Sequence, residues 1–498
     1  MNKSNQAYLE VLCGGLETKD VEMLNHYVQQ LEERIDIPRV QKNEMVHDFL
    51  RAIAYYLDHN YSTSEIIQRL DLKNLGEYYR NIHETCYMID NAGVIYPLGL
   101  RNGQMQMFRL SITLKEDIVP ELLQIAVNFT MKRFPTFAAA VKGGVFWPYL
   151  ETNHGIIKVE EETDIPCKPI SIVLRTSRSL RILYYKKRIS IEIFHVVTDG
   201  TGGMVFLKTL TNEYLRLLKN VSACGEGILD INEEVNKEEV KNCFDDAESN
   251  KDISMMMGEK SLQLKGKITT IKPSRIFHYE MPLEQLKEVS KKYNSTISAY
   301  ILALMFIASK RAIDKTSGVF RIQVPINMRQ FNQSKTLRNY SMYFGASMDI
   351  KDIGDKQSVV DEMKKQLKEN VSYDHLSKMM GSTKGIIDLA RPVPLFIKIP
   401  IGQIAFGYLG NSIYGATFSN LGIIEVGDNI KEYIDYFDFV VVPNSPNRIF
   451  CTLLTYEGKT RLMIAKNTQD TTFEEEMLNL LKEDGITIDL YGSPRYES

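Results

Sequence analysis

The stretch Ile189-Ser-Ile-Glu-Ile-Phe-His195-Val-Val-Thr-Asp199-Gly200-Thr-Gly202-Gly203 decides how this chain is read. Ile189, Ile191, Ile193 and His195 share a parity, so on a strand of period two their side chains point to one face. The pattern predicts a strand that delivers one histidine, protected from water, to a tight corner. Asp199 and Gly200 close that corner, and Gly202 and Gly203 permit backbone angles that other residues resist. A helix is expected at once, with Leu207, Leu210, Tyr214 and Leu217 on one side. A histidine on an apolar face is ordinarily a packed core residue. One followed by an Asp-Gly corner and a helix start is presented into a cleft, where general bases are found.

Composition narrows the remaining possibilities. A chain of 498 residues exceeds a single core and predicts two or three domains. Its net charge of −3, with no basic arm and no aromatic-basic groove, gives no reason to expect a nucleic-acid partner. Cys13, Cys86, Cys167, Cys224, Cys243 and Cys451 lack Cys-x-x-Cys spacing. They predict reduced thiols in a cytoplasmic protein rather than a disulfide frame or zinc site. The N-terminus has no apolar signal core. Ile297 to Ile307 is too short to span a bilayer, and Leu395 to Tyr414 is interrupted by Lys398, Pro400, Gln403 and several glycines. No transmembrane segment is expected. Both stretches read as buried or cleft-lining helices, with peripheral membrane contact by the second as the less favoured alternative.

The expected organisation has three parts, at 1–82, 83–255 and 256–498. The first reads as a small helical module, with Val21, Leu24, Val28 and Leu31, then Met45, Phe49, Ile53 and Leu57, at helical spacing. Ser62-Thr-Ser-Glu then offers a cap-like serine or threonine before a further apolar face. The second begins near Cys86 and holds a strand over Phe108–Leu114 and a helix over Glu116–Arg133. A hairpin turning at Gly143-Gly144 and another over Leu180–Phe194 follow. The acidic run between Gly225 and Lys260 reads as a solvated crossover. The third part mixes strands and helices, among them the strand Val319–Arg329 and a compact polar turn at Thr417-Phe-Ser-Asn-Leu-Gly422. Without the regular alternation of a doubly wound sheet, the fold class expected is α+β with mixed sheets.

His-x-x-x-Asp-Gly at 195–200 resembles the active-site motif of acyltransferases built like chloramphenicol acetyltransferase, peptide-synthetase condensation domains among them. Asp90-Asn-Ala-Gly-Val-Ile-Tyr-Pro97, Phe108–Leu114, Arg133-Phe-Pro, Val324-Pro-Ile-Asn-Met-Arg329 and Ser419-Asn-Leu-Gly422 occur in the order seen in bacterial alcohol-acetyltransferase-type proteins. The likeness covers roughly residues 86–490 and leaves out the helical module. Phe194 stands where condensation domains usually carry a first histidine, which argues against that branch. The Asp-Phe-Gly-Trp-Gly element of plant acyltransferases is missing as well.

What the resemblance implies is two similar lobes around a central tunnel. An acyl thioester enters from one side and a small-molecule alcohol or amine acceptor from the other. Acyl-CoA, or a pantetheine thioester on an acyl carrier protein, would be the co-substrate, with no bound cofactor and no metal. His195 would be the general base, and Asp199 a structural anchor paired with an arginine, for which Arg329 is the candidate. Gly200 would keep the passage open. Thr417, Ser419 and Asn420 would be candidate donors to the oxyanion. A carrier-protein-dependent enzyme and a catalytically silent binding protein are the alternatives. No Gly-x-Ser-x-Gly elbow, His-Glu-x-x-His pair or phosphate-binding P-loop is present.

Overall fold

The computed structural model describes residues 1–80, 85–98, 106–168, 178–252, 259–268, 275–405, 413–443 and 448–492. Two mixed sheets organise it. A five-stranded sheet has the spatial order 434–441, 107–114, 188–194, 180–185, 159–161. A seven-stranded sheet has the order 341–349, 319–327, 416–423, 449–456, 459–466, 275–282, 489–492. A small three-stranded sheet holds the hairpin formed by Ala139–Lys142 and Tyr149–Thr152. The α+β reading holds.

In the five-stranded sheet, Phe108, Leu110, Ile112, Ile189, Ile191 and Ile193 join the core that also buries the helices Pro120–Thr130 and Gly200–Lys219. The alternate positions of the strand Met107–Leu114 are buried too. Arg109 is held by Glu162 and Glu192, and Ser111 pairs with Ser190 at 2.9 Å. Arg109 and Ser111 are thus partnered across strands rather than exposed to water.

Helices Lys3–Cys13, Thr18–Arg34, Arg39–Asp58 and Thr63–Arg69 build the N-terminal part. Ser62 caps the last of them in a reciprocal box with Glu65. Their buried residues run without a break into the core of the five-stranded sheet. Tyr56 Oη donates to Leu217 O at 2.8 Å, and Arg69 Nη1 to the same oxygen at 2.8 Å. The helical part and the five-stranded sheet thus share one core. The strand Ile434–Val441 of the C-terminal part ladders antiparallel onto Met107–Leu114.

Three expectations need correction. The segment between Gly225 and Lys260 is not simply solvated: Glu239 is buried against the Arg133 guanidinium, and Cys243 and Phe244 are buried as well. Thr417–Gly422 is not a turn but part of the strand Ala416–Ile423, which runs parallel to both of its neighbours. Ala416 and Phe418 enter the core of the second lobe while Thr417 and Ser419 face away, the alternation of a half-buried strand. The helix Leu395–Ala405 is not buried: Phe396, Ile397, Ile399 and Ile401 are exposed. Residues 406–412 of that stretch lie outside the described residues. Ile297–Arg311, capped by Thr296, is buried as expected. Among the described residues no helix is long and apolar enough to cross a membrane. All six cysteines are free thiols.

Candidate active site

His195 follows the last residue of the strand Arg188–Phe194, and its backbone N–H donates to Gln106 O at 2.9 Å. The chain then turns, with Val197 N donating to Phe194 O at 3.0 Å. Asp199 is the N-cap of the helix Gly200–Lys219, its Oδ1 accepting from Gly202 N at 3.1 Å. A Cβ on Gly202 would lie 2.2 Å from Leu337 O, so only glycine allows the helix start to approach that carbonyl. The imidazole is stacked on Tyr96, with ring centroids 4.8 Å apart, and meets the edge of Phe108 at 5.1 Å.

His195 lines a cavity of about 1280 Å³ between the two sheets. Asp199, Gly200, Thr417, Ser419 and Asn420 line it as well, as do Phe439 and Val441 of the crossing strand. Arg329 is not among its lining residues. It sits behind the corner, with Nη1 2.8 Å from Asp199 Oδ2, Nε donating to Thr336 O at 2.8 Å and Nη2 to Arg338 O at 2.5 Å. Asp199 Oδ2 also accepts from Tyr340 N at 2.8 Å. Burial pushes the Asp199 carboxyl up, but Arg329 and the two backbone N–H groups outweigh it and hold it below the usual carboxylate range. Both carboxylate oxygens are committed to these partners.

The partner of the imidazole is Asn339, which the sequence reading did not single out. His195 Nδ1 lies 3.0 Å from Asn339 Oδ1. Asn339 Nδ2 donates to Asp90 Oδ2 at 3.2 Å and to Val196 O at 3.4 Å, which turns Oδ1 toward the ring. An acceptor at Nδ1 requires the proton on that nitrogen, leaving Nε2 with a free lone pair. Asp90 is fully buried, its Oδ1 accepts from Gly93 N at 2.6 Å, and Arg338 lies 3.7 Å away. The one sequence signal for Asp90 is the Asp-x-x-Gly turn in its own stretch. Burial lowers the His195 pKa more than its own backbone carbonyl, Asp199, Asn339 and Asp90 raise it, which favours the neutral ring.

The three residues expected near an oxyanion differ in availability. Asn420 is engaged on both sides, its Oδ1 accepting from Gly422 N at 2.8 Å and its Nδ2 donating to Ser298 Oγ at 3.0 Å. Thr417 Oγ1 lies 3.4 Å from Gln323 Oε1. The Ser419 hydroxyl makes no hydrogen bond to any described residue and lies on the face away from the core.

The two mixed sheets, the cavity between them and the crossing strand define the chloramphenicol acetyltransferase-like fold of acyltransferases and condensation domains. Among solved structures, trichothecene 15-O-acetyltransferase TRI3 from Fusarium sporotrichioides is similar at 12% identity and a TM-score of 0.54, over 80% of this chain and 94% of that one. F. sporotrichioides TRI101 in complex with coenzyme A and T-2 is similar at 10% identity and a TM-score of 0.55, over 82% and 99% of the two chains. The first condensation domain of the calcium-dependent antibiotic synthetase gives 11% identity and a TM-score of 0.55, over 81% and 99%. At such identities the likeness is one of fold. No family model matches the sequence, and no curated protein matches it either.

Proposed function

We propose that this protein is an acyltransferase that moves an acyl group, acetyl being the first choice, from coenzyme A to an alcohol or amine acceptor. The observation that carries the reading is the orientation of His195, whose Nδ1 is taken by Asn339 while the ring lines the cavity. Nε2 of His195 takes the proton of the acceptor hydroxyl or amine as that atom attacks the thioester carbonyl carbon. The new C–O or C–N bond forms, the C–S bond breaks, and the proton passes from Nε2 to the departing thiolate. Ser419 Oγ is the donor with a free proton to offer the oxyanion. Asp199 and Arg329 brace the corner and the segment that carries Asn339. The free thiols fit a reducing, cytoplasmic setting.

The test is thiol release from a panel of acyl-CoAs offered with alcohols and amines. Acceptor-dependent release is the expected result. Release only from an acyl carrier protein would replace the donor, and no release from either would leave a binding protein with this fold. Asn339→Ala is expected to lower kcat roughly 10- to 100-fold with little change in KM. The hydrogen bond it removes strengthens when the ring becomes an imidazolium, and such bonds contribute about 1.5–3 kcal/mol. A KM effect with kcat intact would contradict the positioning role.

A further inference from the structure

The wall that the seven-stranded sheet gives the cavity is polar, and the strand register explains why. Gln323 pairs with Gly345 and Thr417, Pro325 with Tyr343, and Asn327 with Ser341, so these positions share one face. Ile322, Phe344 and Ala416, at alternate positions, enter the core of that lobe instead. Gly345 leaves room on the polar face for an aromatic ring: a Cβ there would lie 3.0 Å from the ring of Tyr414.

Three phenols carry this wall to the histidine. Tyr96 stacks on His195, and the rings of Tyr343 and Tyr414 meet edge to face with centroids 6.1 Å apart. Burial pushes all three phenols up, and Tyr343 adds to the rise of Tyr96 and Tyr414. Each hydroxyl therefore keeps its proton at pH 7 and can both donate and accept. None of the three makes a hydrogen bond to a described residue, and neither does the hydroxyl of Ser341.

Charge limits what such a wall can take. Among the described residues the single carboxylate lining the cavity is Asp199, whose oxygens are committed to Arg329, Tyr340 N and Gly202 N. An ammonium would find no free counter-ion. The cations Lys291, Lys364 and Lys368 come from the helices Leu283–Lys292 and Lys356–Asn370, not from the polar sheet face. A purely apolar alcohol would strip water from the phenols and amides and leave them unpaired, which is unfavourable for each. Sugar hydroxyls donate and accept as the phenols do, and Phe439 and Phe450 offer apolar surface to the C–H faces of a ring.

We infer that the acceptor is an uncharged glycoside, held by its hydroxyls on the face of Gln323 and Tyr343 and O-acylated beside His195. This rests on the acyl-transfer reading and narrows its acceptor from an alcohol or amine to a sugar hydroxyl. At that hydroxyl the ester C–O bond forms as the thioester C–S bond breaks. The hydroxyl proton passes through His195 Nε2 to the departing thiolate.

The experiment is thiol release from the most active acyl donor with a set of methyl hexopyranosides, their amino-sugar and uronic-acid counterparts, and cyclohexylmethanol. The best glycoside is expected to exceed cyclohexylmethanol about 100-fold in kcat/KM, since a site built for hydroxyls rejects an analogue that lacks them. The charged counterparts should fall below it. Tyr343→Phe and Tyr414→Phe each remove a hydroxyl that bonds no described residue, so the wild-type thermal midpoint should persist. In both, the advantage of the glycoside over cyclohexylmethanol should shrink roughly 3- to 10-fold. An unchanged advantage in both variants, or preference for cyclohexylmethanol, an amino sugar or a uronic acid, would overturn the inference. If no acceptor releases thiol, calorimetric titration of the same glycosides decides. Binding that the two variants weaken would keep the glycoside site and remove acyl transfer alone, whereas absent or unweakened binding would remove the site.

Discussion

Replacing His195 by alanine is expected to lower the turnover of acyl transfer by about 10²- to 10⁴-fold, the usual contribution of a positioned general base. The side chain is only partly buried and ends in the cavity, so the variant should unfold at the same denaturant concentration as the wild type. The pH profile supplies a second check. Burial holds the imidazole below its ordinary value of 6.5, and the neutral ring is the reactive form. The wild-type rate should therefore stay level from alkaline pH down through 6.5 and fall only as the pH drops through the lower folded value. In His195→Ala that acid limb should vanish. Equal turnover in the two proteins, with the acid limb intact, would remove His195 from the chemistry.

Arg329→Ala is expected to cost about 3–5 kcal/mol of folding stability, read as a lower urea midpoint, because it leaves a buried carboxylate without its cation. Asp199 would keep only the N–H groups of Tyr340 and Gly202. The carbonyls of Thr336 and Arg338 would lose their donor as well, loosening the segment that positions Asn339. Turnover should fall along with stability. Arg329→Lys should recover only part of both, since an ammonium cannot reach three directions with a planar fork. Because the folded pKa of Asp199 is depressed, its contribution to stability is fully present above the ordinary value of 3.8. It is lost as the pH falls through the lower folded one. The difference between wild type and Arg329→Ala should therefore narrow below pH 3.8. Wild-type stability in Arg329→Ala would mean that the pair is not a structural anchor.

The corner itself was legible because its signals are local. Alternating isoleucines make the strand, and Asp199 and the glycines make the cap and the turn, all within fifteen residues. Asn339 was not legible because its role depends on a partner 144 residues away, and an asparagine just ahead of a strand reads as ordinary turn chemistry. Glu239 was hidden for the same reason: in sequence it is one acid in an acidic run, and only Arg133, 106 residues earlier, makes it a buried one. Thr417 and Ser419 misled in another way. Their polar side chains, with a glycine following, imitate a turn, while the alternation with Ala416 and Phe418 was the stronger signal. The run Leu395–Ala405 shows that apolar composition alone does not say whether a helix is buried.

The strand Ile434–Val441 has a consequence for how the molecule comes into being. From Tyr436 to Val441 it pairs residue by residue with Phe108–Thr113, more than three hundred positions earlier in the chain. During synthesis, the neighbour of the histidine-bearing strand must wait with one edge unpaired until the last quarter of the polypeptide is made. The wall that Phe439 and Val441 give the cavity arrives at the same moment. Completion of the first sheet and enclosure of His195 are thus a single late event in the life of the chain, and no shorter nascent product can hold a finished site.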